Sequence, residues 1–69
     1  MKVIKWINRY SNESGFVKSI NTKGNHFVNT FDINEAKTYK KEETANTAIT
    51  QLINFGEGEN NHFEVIDNE

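Results

Sequence analysis

Residues 41–55 have the sequence KEETANTAITQLINF and carry the clearest structural signal in the chain. The apolar residues Ala45, Ala48, Ile49, Leu52 and Ile53 follow one another at i, i+3, i+4, i+7 and i+8. This spacing places them in one stripe of an amphipathic helix. Two carboxylates, Glu42 and Glu43, fall in the first turn, where the helix dipole favours anions, and Gly56 follows where a left-handed C-terminal cap is wanted.

The residues before this helix predict three β-strands with short connections. The segment Lys2–Tyr10 is rich in Val, Ile, Trp and Tyr, and a polar cluster, Ser11–Gly15, follows it. Alternating segments follow at Phe16–Ile20 and at His26–Phe31, joined through a loop that contains Gly24. Consecutive strands with short links predict an antiparallel meander.

Three further segments complete the expected order. Asp32–Ala36 predicts one helical turn capped by the Asp32 carboxylate, and Lys37–Tyr39 is expected to be extended. After the helix and a glycine-containing loop, His62–Asp67 predicts a closing strand. The order β-β-β-(β)-α-β predicts a single α+β domain over residues 1–69, with an antiparallel sheet of four to five strands and one amphipathic helix packed on one face.

The first strand has apolar residues on both of its faces. Ile4 and Trp6 alternate with Val3 and Ile7, so one helix can cover only one of the two pairs. The pattern does not decide which pair is covered. We therefore expect an apolar or aromatic strip on the sheet face away from the helix, with Trp6 as its hot spot, that serves a homodimer or a partner.

Composition excludes several classes of function. The chain has no cysteine, which removes disulfides, thiolate metal sites and cysteine nucleophiles. Charges interrupt the apolar residues of the first segment, and no run approaches a membrane span, so a cytoplasmic location is expected. The net charge is −2, but residues 1–41 carry +5 and residues 42–69 carry −7, two charge sets that either form binding faces or neutralise each other.

Residues with catalytic or metal-binding chemistry form no recognisable constellation. His26 and His62 lack partners at metal-ligand spacing, and no serine lies in a nucleophile elbow. The carboxylate pairs Glu42–Glu43 and Glu57–Glu59 have no apolar surroundings that would retune their proton affinity. The sequence therefore predicts no enzyme, no metal and no cofactor.

Two charged sets remain as candidate interaction surfaces. The first hairpin combines cations that could bind phosphates with rings on which bases could stack, the mixture that binding of single-stranded nucleic acid requires. These residues are Lys2, Lys5, Arg9, Lys18, Lys23, Trp6, Tyr10 and Phe16, and the candidate interaction surface among them is Trp6, Tyr10, Lys2, Lys5 and Arg9. The acidic residues near the C-terminus could imitate nucleic-acid phosphates and occupy a basic groove of another protein; they are Glu57, Glu59, Glu64 and Asp67, together with Glu69.

Several segments in succession resemble many small uncharacterised proteins encoded by Gram-positive bacteria and their phages. The segments are Gly15–Lys18, Phe31–Tyr39, Glu42–Ala45 and Phe63–Ile66. In those proteins a strand meander is followed by a helix entry with the pattern E-E-A and by a final E-V strand; here Thr44 delays the alanine by one residue, to Ala45. The eleven asparagines also resemble the product of an AT-rich genome. The resemblance implies a phage or prophage accessory protein and carries over no catalytic residue.

These observations lead to one functional hypothesis and one alternative. The hypothesis is a non-enzymatic protein-interaction module that modulates a host protein. The alternative is a nucleic-acid-binding protein that uses the first hairpin, which requires Trp6 and Tyr10 to be exposed beside Lys2, Lys5 and Arg9.

Overall fold

The computed structural model describes residues 1–68 and confirms the α+β class. Four antiparallel strands form one sheet, and one helix packs on it. The elements are β1 Lys2–Asn8, β2 Ser14–Asn21, β3 His26–Thr30, α1 Glu42–Asn54 and β4 Asn61–Asp67, with a first 3₁₀ turn at Ile33–Glu35 and a second at Glu57–Glu59. No helix within these residues is long and apolar enough to cross a membrane.

The sheet has the strand order β3-β2-β1-β4, which confirms the predicted meander of the first three strands. The closing strand β4 pairs with β1 along its whole length, from Lys2 opposite Asp67 to Asn8 opposite Asn61. This pairing places the basic first strand beside the acidic last one. β3 and β4 are thus the two outer strands.

β1 is shorter than the sequence predicts. It ends at Asn8, whereas the pattern of Val, Ile, Trp and Tyr suggested an end at Tyr10. The Asn8 side-chain oxygen accepts hydrogen bonds from the backbone N–H groups of Tyr10 and Ser11, at 2.9 and 3.0 Å. An asparagine that binds the backbone two and three residues ahead forms a turn, and this local bond overrides strand propensity.

The segment between β3 and the helix runs beside the sheet. As predicted, the Asp32 carboxylate accepts the backbone N–H of Asn34, at 2.9 Å. The predicted extended stretch forms only an isolated bridge, in which Tyr39 exchanges two 2.7 Å hydrogen bonds with Lys2. Lys37 also donates its backbone N–H to Val17, next to the irregularity between Val17 and Ser19 in β2.

The helix covers the sheet face that carries Ile4 and Trp6. Its bounds agree with the predicted Lys41–Phe55 to within one residue at each end, and Gly56 has the expected left-handed conformation, with φ of 93°. The buried helix residues Ala45, Ala48 and Leu52 form one core with Ile4, Trp6, Val17, Tyr39 and Phe63. Ile53, at the edge of the predicted stripe, is 53% exposed.

Trp6 therefore belongs to the core, and the expected role of Trp6 as an exposed hot spot is wrong. Its side chain is only 6% exposed, and its indole N–H donates to the backbone oxygen of Phe16 at 3.2 Å. The reason lies across the strand pair, where Gly15 is its partner. A Cβ on Gly15 would lie 2.7 Å from the Trp6 ring, so the absence of a side chain at Gly15 lets the indole pack closely against β2.

The opposite sheet face is mixed rather than a continuous apolar strip. Val3 is fully buried there, and its strand partner Ile66 is half-buried, as is Ile7. Between them lie Lys5 and Glu64, which are opposite each other on β1 and β4. Charged residues thus interrupt the apolar ones on this face.

The sheet is strongly curved toward the helix-covered face. The rings of Phe27 on β3 and Phe63 on β4 meet edge to face, with centroids 5.6 Å apart. In a flat four-stranded sheet the outer strands lie about 14 Å apart, and their side chains stand perpendicular to it. Contact between the two outer strands therefore requires the sheet to curl around this face.

Candidate binding groove

The basic and aromatic residues of the first hairpin do not form one surface. Trp6 is buried, whereas Tyr10 is 79% exposed. Lys2 and Lys5 lie on opposite faces of β1, because they are three positions apart and successive side chains of a strand alternate between its faces. The Arg9 guanidinium donates from Nε to the backbone oxygen of Gly58 at 3.1 Å and is thereby held at the second 3₁₀ turn.

Lys2 is instead the centre of a small ion-pair group. Its ammonium lies 2.7 Å from the Asp67 carboxylate and 4.0 Å from that of Glu42. The hydrogen bond with Asp67 raises the pKa of Lys2, and the same contact lowers the pKa of Asp67. These contacts join the start of β1, the end of β4 and the first turn of the helix.

The acidic residues are also dispersed. Glu57 and Glu59 lie on the second 3₁₀ turn, before β4 begins, whereas Asp67 is the last residue of β4. A seven-residue strand is about 20 Å long, so these groups are far apart. Glu64 lies on the face away from the helix, where its carboxylate is 3.8 Å from His62. Glu69 lies outside the described residues. The charges of the two halves thus intermingle rather than form opposed faces.

What the fold does assemble is an open groove on the concave side of the sheet, which we call the β3 groove. Its volume is about 520 Å³, within the range of pockets that bind ligands. It is lined by residues from four separate segments: Trp6 and Asn8 of β1, Phe27, Val28 and Asn29 of β3, Glu57 of the second 3₁₀ turn, and Asn61 of β4.

The β3 groove combines aromatic surface with amide groups. Phe27 supplies a half-buried ring, whereas the Trp6 ring, only 6% exposed, offers little accessible surface. Asn29 and Asn61 supply side-chain amides with donors and an acceptor, and Asn8 supplies its amide nitrogen, because its side-chain oxygen already accepts from the backbone of Tyr10 and Ser11. The Asn8 amide nitrogen lies 3.5 Å from the Asn61 side-chain oxygen, so these two amides are neighbours. Such a lining can hold a ligand that has both hydrogen-bond donors and acceptors, such as a polypeptide backbone.

Metal-binding chemistry is not gathered in the part of the chain that the structure describes. No three His, Asp or Glu side chains there lie close enough to hold an ion together. Both histidines are exposed, His26 at the start of β3 and His62 on β4.

Of the groove residues, only Trp6 and Glu57 were candidates from the sequence. The other five, Asn8, Phe27, Val28, Asn29 and Asn61, were not. The one signal available for them was the alternation that places Phe27 and Asn29 on the same side of β3. Their meeting depends on the curvature of the sheet, which is a tertiary property.

Comparison with known proteins gives no relative. No protein-family model, no curated protein and no solved structure matches this chain.

Proposed function

We propose that this chain is a non-enzymatic protein-interaction module that binds its partner through the β3 groove. The observation that supports the proposal is the position of this groove, which lies open along an outer strand and is lined by the half-buried Phe27 ring and three asparagine side chains. Aromatic side chains are enriched in interfaces between proteins, and direct hydrogen bonds cross a typical interface.

The proposed origin and cellular location of the protein follow from its sequence pattern rather than from the groove. We propose a phage or prophage accessory protein that modulates a host protein in the cytoplasm. Its support is the resemblance carried by residues 15–18, 31–39, 42–45 and 63–66.

A charged residue placed on the border of the groove tests this function. Val28 lines the groove and is 43% exposed, so Val28→Lys should keep the fold and abolish capture of the partner. The matched control is Thr47→Lys, which adds the same charge on an exposed position of the helix. Quantitative mass spectrometry of proteins captured from a Gram-positive host lysate compares both variants with the wild type.

Two outcomes separate the alternatives. A host protein captured by the wild type and by Thr47→Lys, but not by Val28→Lys, supports the proposal. If every captured protein is retained equally by all three, or if none is captured above a blank resin, the groove is not the interaction surface and the proposal fails. Circular dichroism of each variant establishes that the fold is intact.

A further inference from the structure

The β3 groove is bordered by the edge of a strand and not only by side chains. Three consecutive residues of β3 line it, Phe27, Val28 and Asn29. Successive side chains of a strand point to opposite faces, so a groove that lay over one face alone would be lined by every second residue. Because three consecutive residues of β3 line this groove, it runs along the outer edge of the strand. That edge carries main-chain N–H and C=O groups.

The outer edge of β3 has no strand partner within residues 1–68. β3 pairs with β2 alone, and its five residues make no backbone–backbone hydrogen bond outside that pairing in the described chain. Such an edge is a template for another extended chain.

β3 also lacks the devices that usually prevent such pairing. Its sequence, HFVNT, contains no Lys, Arg, Asp, Glu or Pro. The other outer strand, β4, carries Glu64 and Asp67, and charges on an edge oppose the addition of a strand. Strand addition is thus favoured at β3 over β4.

The charge of the groove restricts what the added strand can be. Among the described residues that line the groove, Glu57 is the one with a formal charge at neutral pH. The neighbouring cation, Arg9, is bonded to the Gly58 carbonyl and is not part of the lining. An acidic segment would be repelled here, whereas a lysine or arginine would gain a carboxylate partner.

We propose that the β3 groove receives an extended segment of the partner protein, which adds to the outer edge of β3 as a fifth strand and presents a lysine or arginine to Glu57. This inference rests on the proposed function and specifies the chemistry of its partner. Phe27 packs on the core and Asn29 shares its side of β3, so residues of the segment opposite these two face the groove. The residue opposite Val28 faces the other side. The segment therefore alternates basic or polar residues with apolar ones.

Short peptides that alternate lysine and valine are the direct probe. Titration of a fluorescently labelled peptide into the full chain should show saturable binding, with a control peptide of alternating glutamate and valine binding at least about fivefold more weakly. Methylation of every second backbone nitrogen tests the strand itself. Two methylated peptides are compared, one for each set of alternate residues. The peptide methylated on the N–H groups that face β3 should bind at least about tenfold more weakly, whereas the peptide methylated on the other set should keep its affinity.

The variant Glu57→Gln tests the charge without changing the size of the side chain. We expect it to reduce the preference for lysine over glutamate peptides by about fivefold, while Glu43→Gln, in the first turn of the helix, leaves the preference unchanged. Amide hydrogen exchange should slow in residues 26–30 when the lysine peptide is bound.

Each contrary outcome has a distinct meaning. If the lysine–valine peptide does not bind at about millimolar concentration, or if both methylated peptides bind equally, strand addition at β3 is wrong, even if Val28→Lys still abolishes capture of a host protein. If Glu57→Gln leaves the lysine preference intact, the assignment of Glu57 is wrong. If Val28→Lys has no effect on capture while the peptide still binds, the proposed function fails but the strand site stands.

Discussion

Single residues determine how the concave side of this sheet is filled. Gly15 is the clearest example, because its missing side chain makes room for the indole of Trp6, and that indole then lines the β3 groove. A glycine at this position weakens strand propensity, which is the usual cost of a close approach. The close approach, rather than any need for backbone freedom, explains the residue.

Gly15→Ala should destabilise the protein. The added Cβ would meet the Trp6 ring at 2.7 Å and the backbone oxygen of Thr30 at 2.8 Å, and a backbone atom cannot easily move away. Overpacking of this kind costs about 1–3 kcal/mol, a large part of the stability of so short a chain. Urea unfolding should show this loss.

Gly24→Ala is the matched control for Gly15→Ala. Its Cβ would clash only with the side chain of His26, which is exposed and free to turn aside, and would meet the Asn21 side chain at an ordinary contact distance of 3.6 Å. We expect a change in unfolding free energy within about 0.5 kcal/mol. Equal losses in the two variants would contradict the role assigned to Gly15.

Tyr39 links residue chemistry to stability at alkaline pH. Its side chain is 7% exposed, and its hydroxyl is buried without a hydrogen-bond partner in the described chain. Burial raises the pKa of Tyr39, because the charged tyrosinate is poorly solvated there. As the pH rises above about 10, Tyr39 therefore loses its proton in the unfolded chain before it does so in the folded protein. The free energy of unfolding is unaffected by this group below about pH 10 and falls as the pH rises from there through the folded pKa.

Tyr39→Phe should remove this alkaline loss. At neutral pH the variant should be as stable as the wild type or slightly more so, since an unsatisfied hydroxyl is replaced by hydrogen. Urea unfolding at intervals between about pH 8 and about pH 11 provides the measurement. Tyr10→Phe is the control, because the Tyr10 side chain is 79% exposed and meets water in both states. A Tyr39→Phe variant with an unchanged alkaline slope would refute the argument.

At the scale of the element, local patterns predicted most of the fold. The helix, the meander, the Asp32 cap and the left-handed Gly56 all follow from residues within a few positions of one another, and the structure confirms them. The predictions that were wrong failed either because contacts between distant residues decided the structure or because a local side-chain hydrogen bond competed with the strand. β1 ends early because the Asn8 side chain binds the following backbone, and the Lys37–Tyr39 stretch is limited to an isolated bridge with Lys2.

Which sheet face the helix covers, and where a groove forms, could not be predicted from periodicity. Ile4 and Val3 are equally apolar, and both are fully buried in the fold. The β3 groove depends on contact between the two outer strands through Phe27 and Phe63, which lie 36 positions apart in the chain. No pattern within a window of the sequence specifies a contact at that distance.

At the scale of the whole molecule, the fold mixes charges that the sequence keeps apart. Antiparallel pairing of β1 with β4 puts Lys2 opposite Asp67 and Lys5 opposite Glu64. Lys18 is likewise 3.4 Å from the Glu35 carboxylate. Partly exposed pairs such as these contribute little to stability, but they prevent a continuous positive surface.

This mixing leads to a prediction about nucleic acid. Binding of single-stranded DNA requires cations along one groove and stacking surfaces beside them, and its affinity falls steeply with salt. Here Lys2 is paired with Asp67, Arg9 is held by the Gly58 carbonyl, and Trp6 is buried. We expect no salt-dependent gel shift of single-stranded DNA at tens of micromolar protein in low salt, about the range where nonspecific binders respond.

A charge-reversal variant makes this expectation decisive, because it supplies what the wild type lacks. Glu57→Lys/Glu59→Lys places two cations on the second 3₁₀ turn beside Arg9, so it should create weak binding that vanishes as salt is raised. The same variant also reverses the charge that we assign to the β3 groove, and it should therefore prefer the glutamate–valine peptide.

If the wild type instead binds DNA with a steep salt dependence, and Lys5→Gln removes that binding, then the first hairpin is a nucleic-acid surface despite the buried Trp6. In that case Tyr10, which is exposed, would be the ring on which a base stacks.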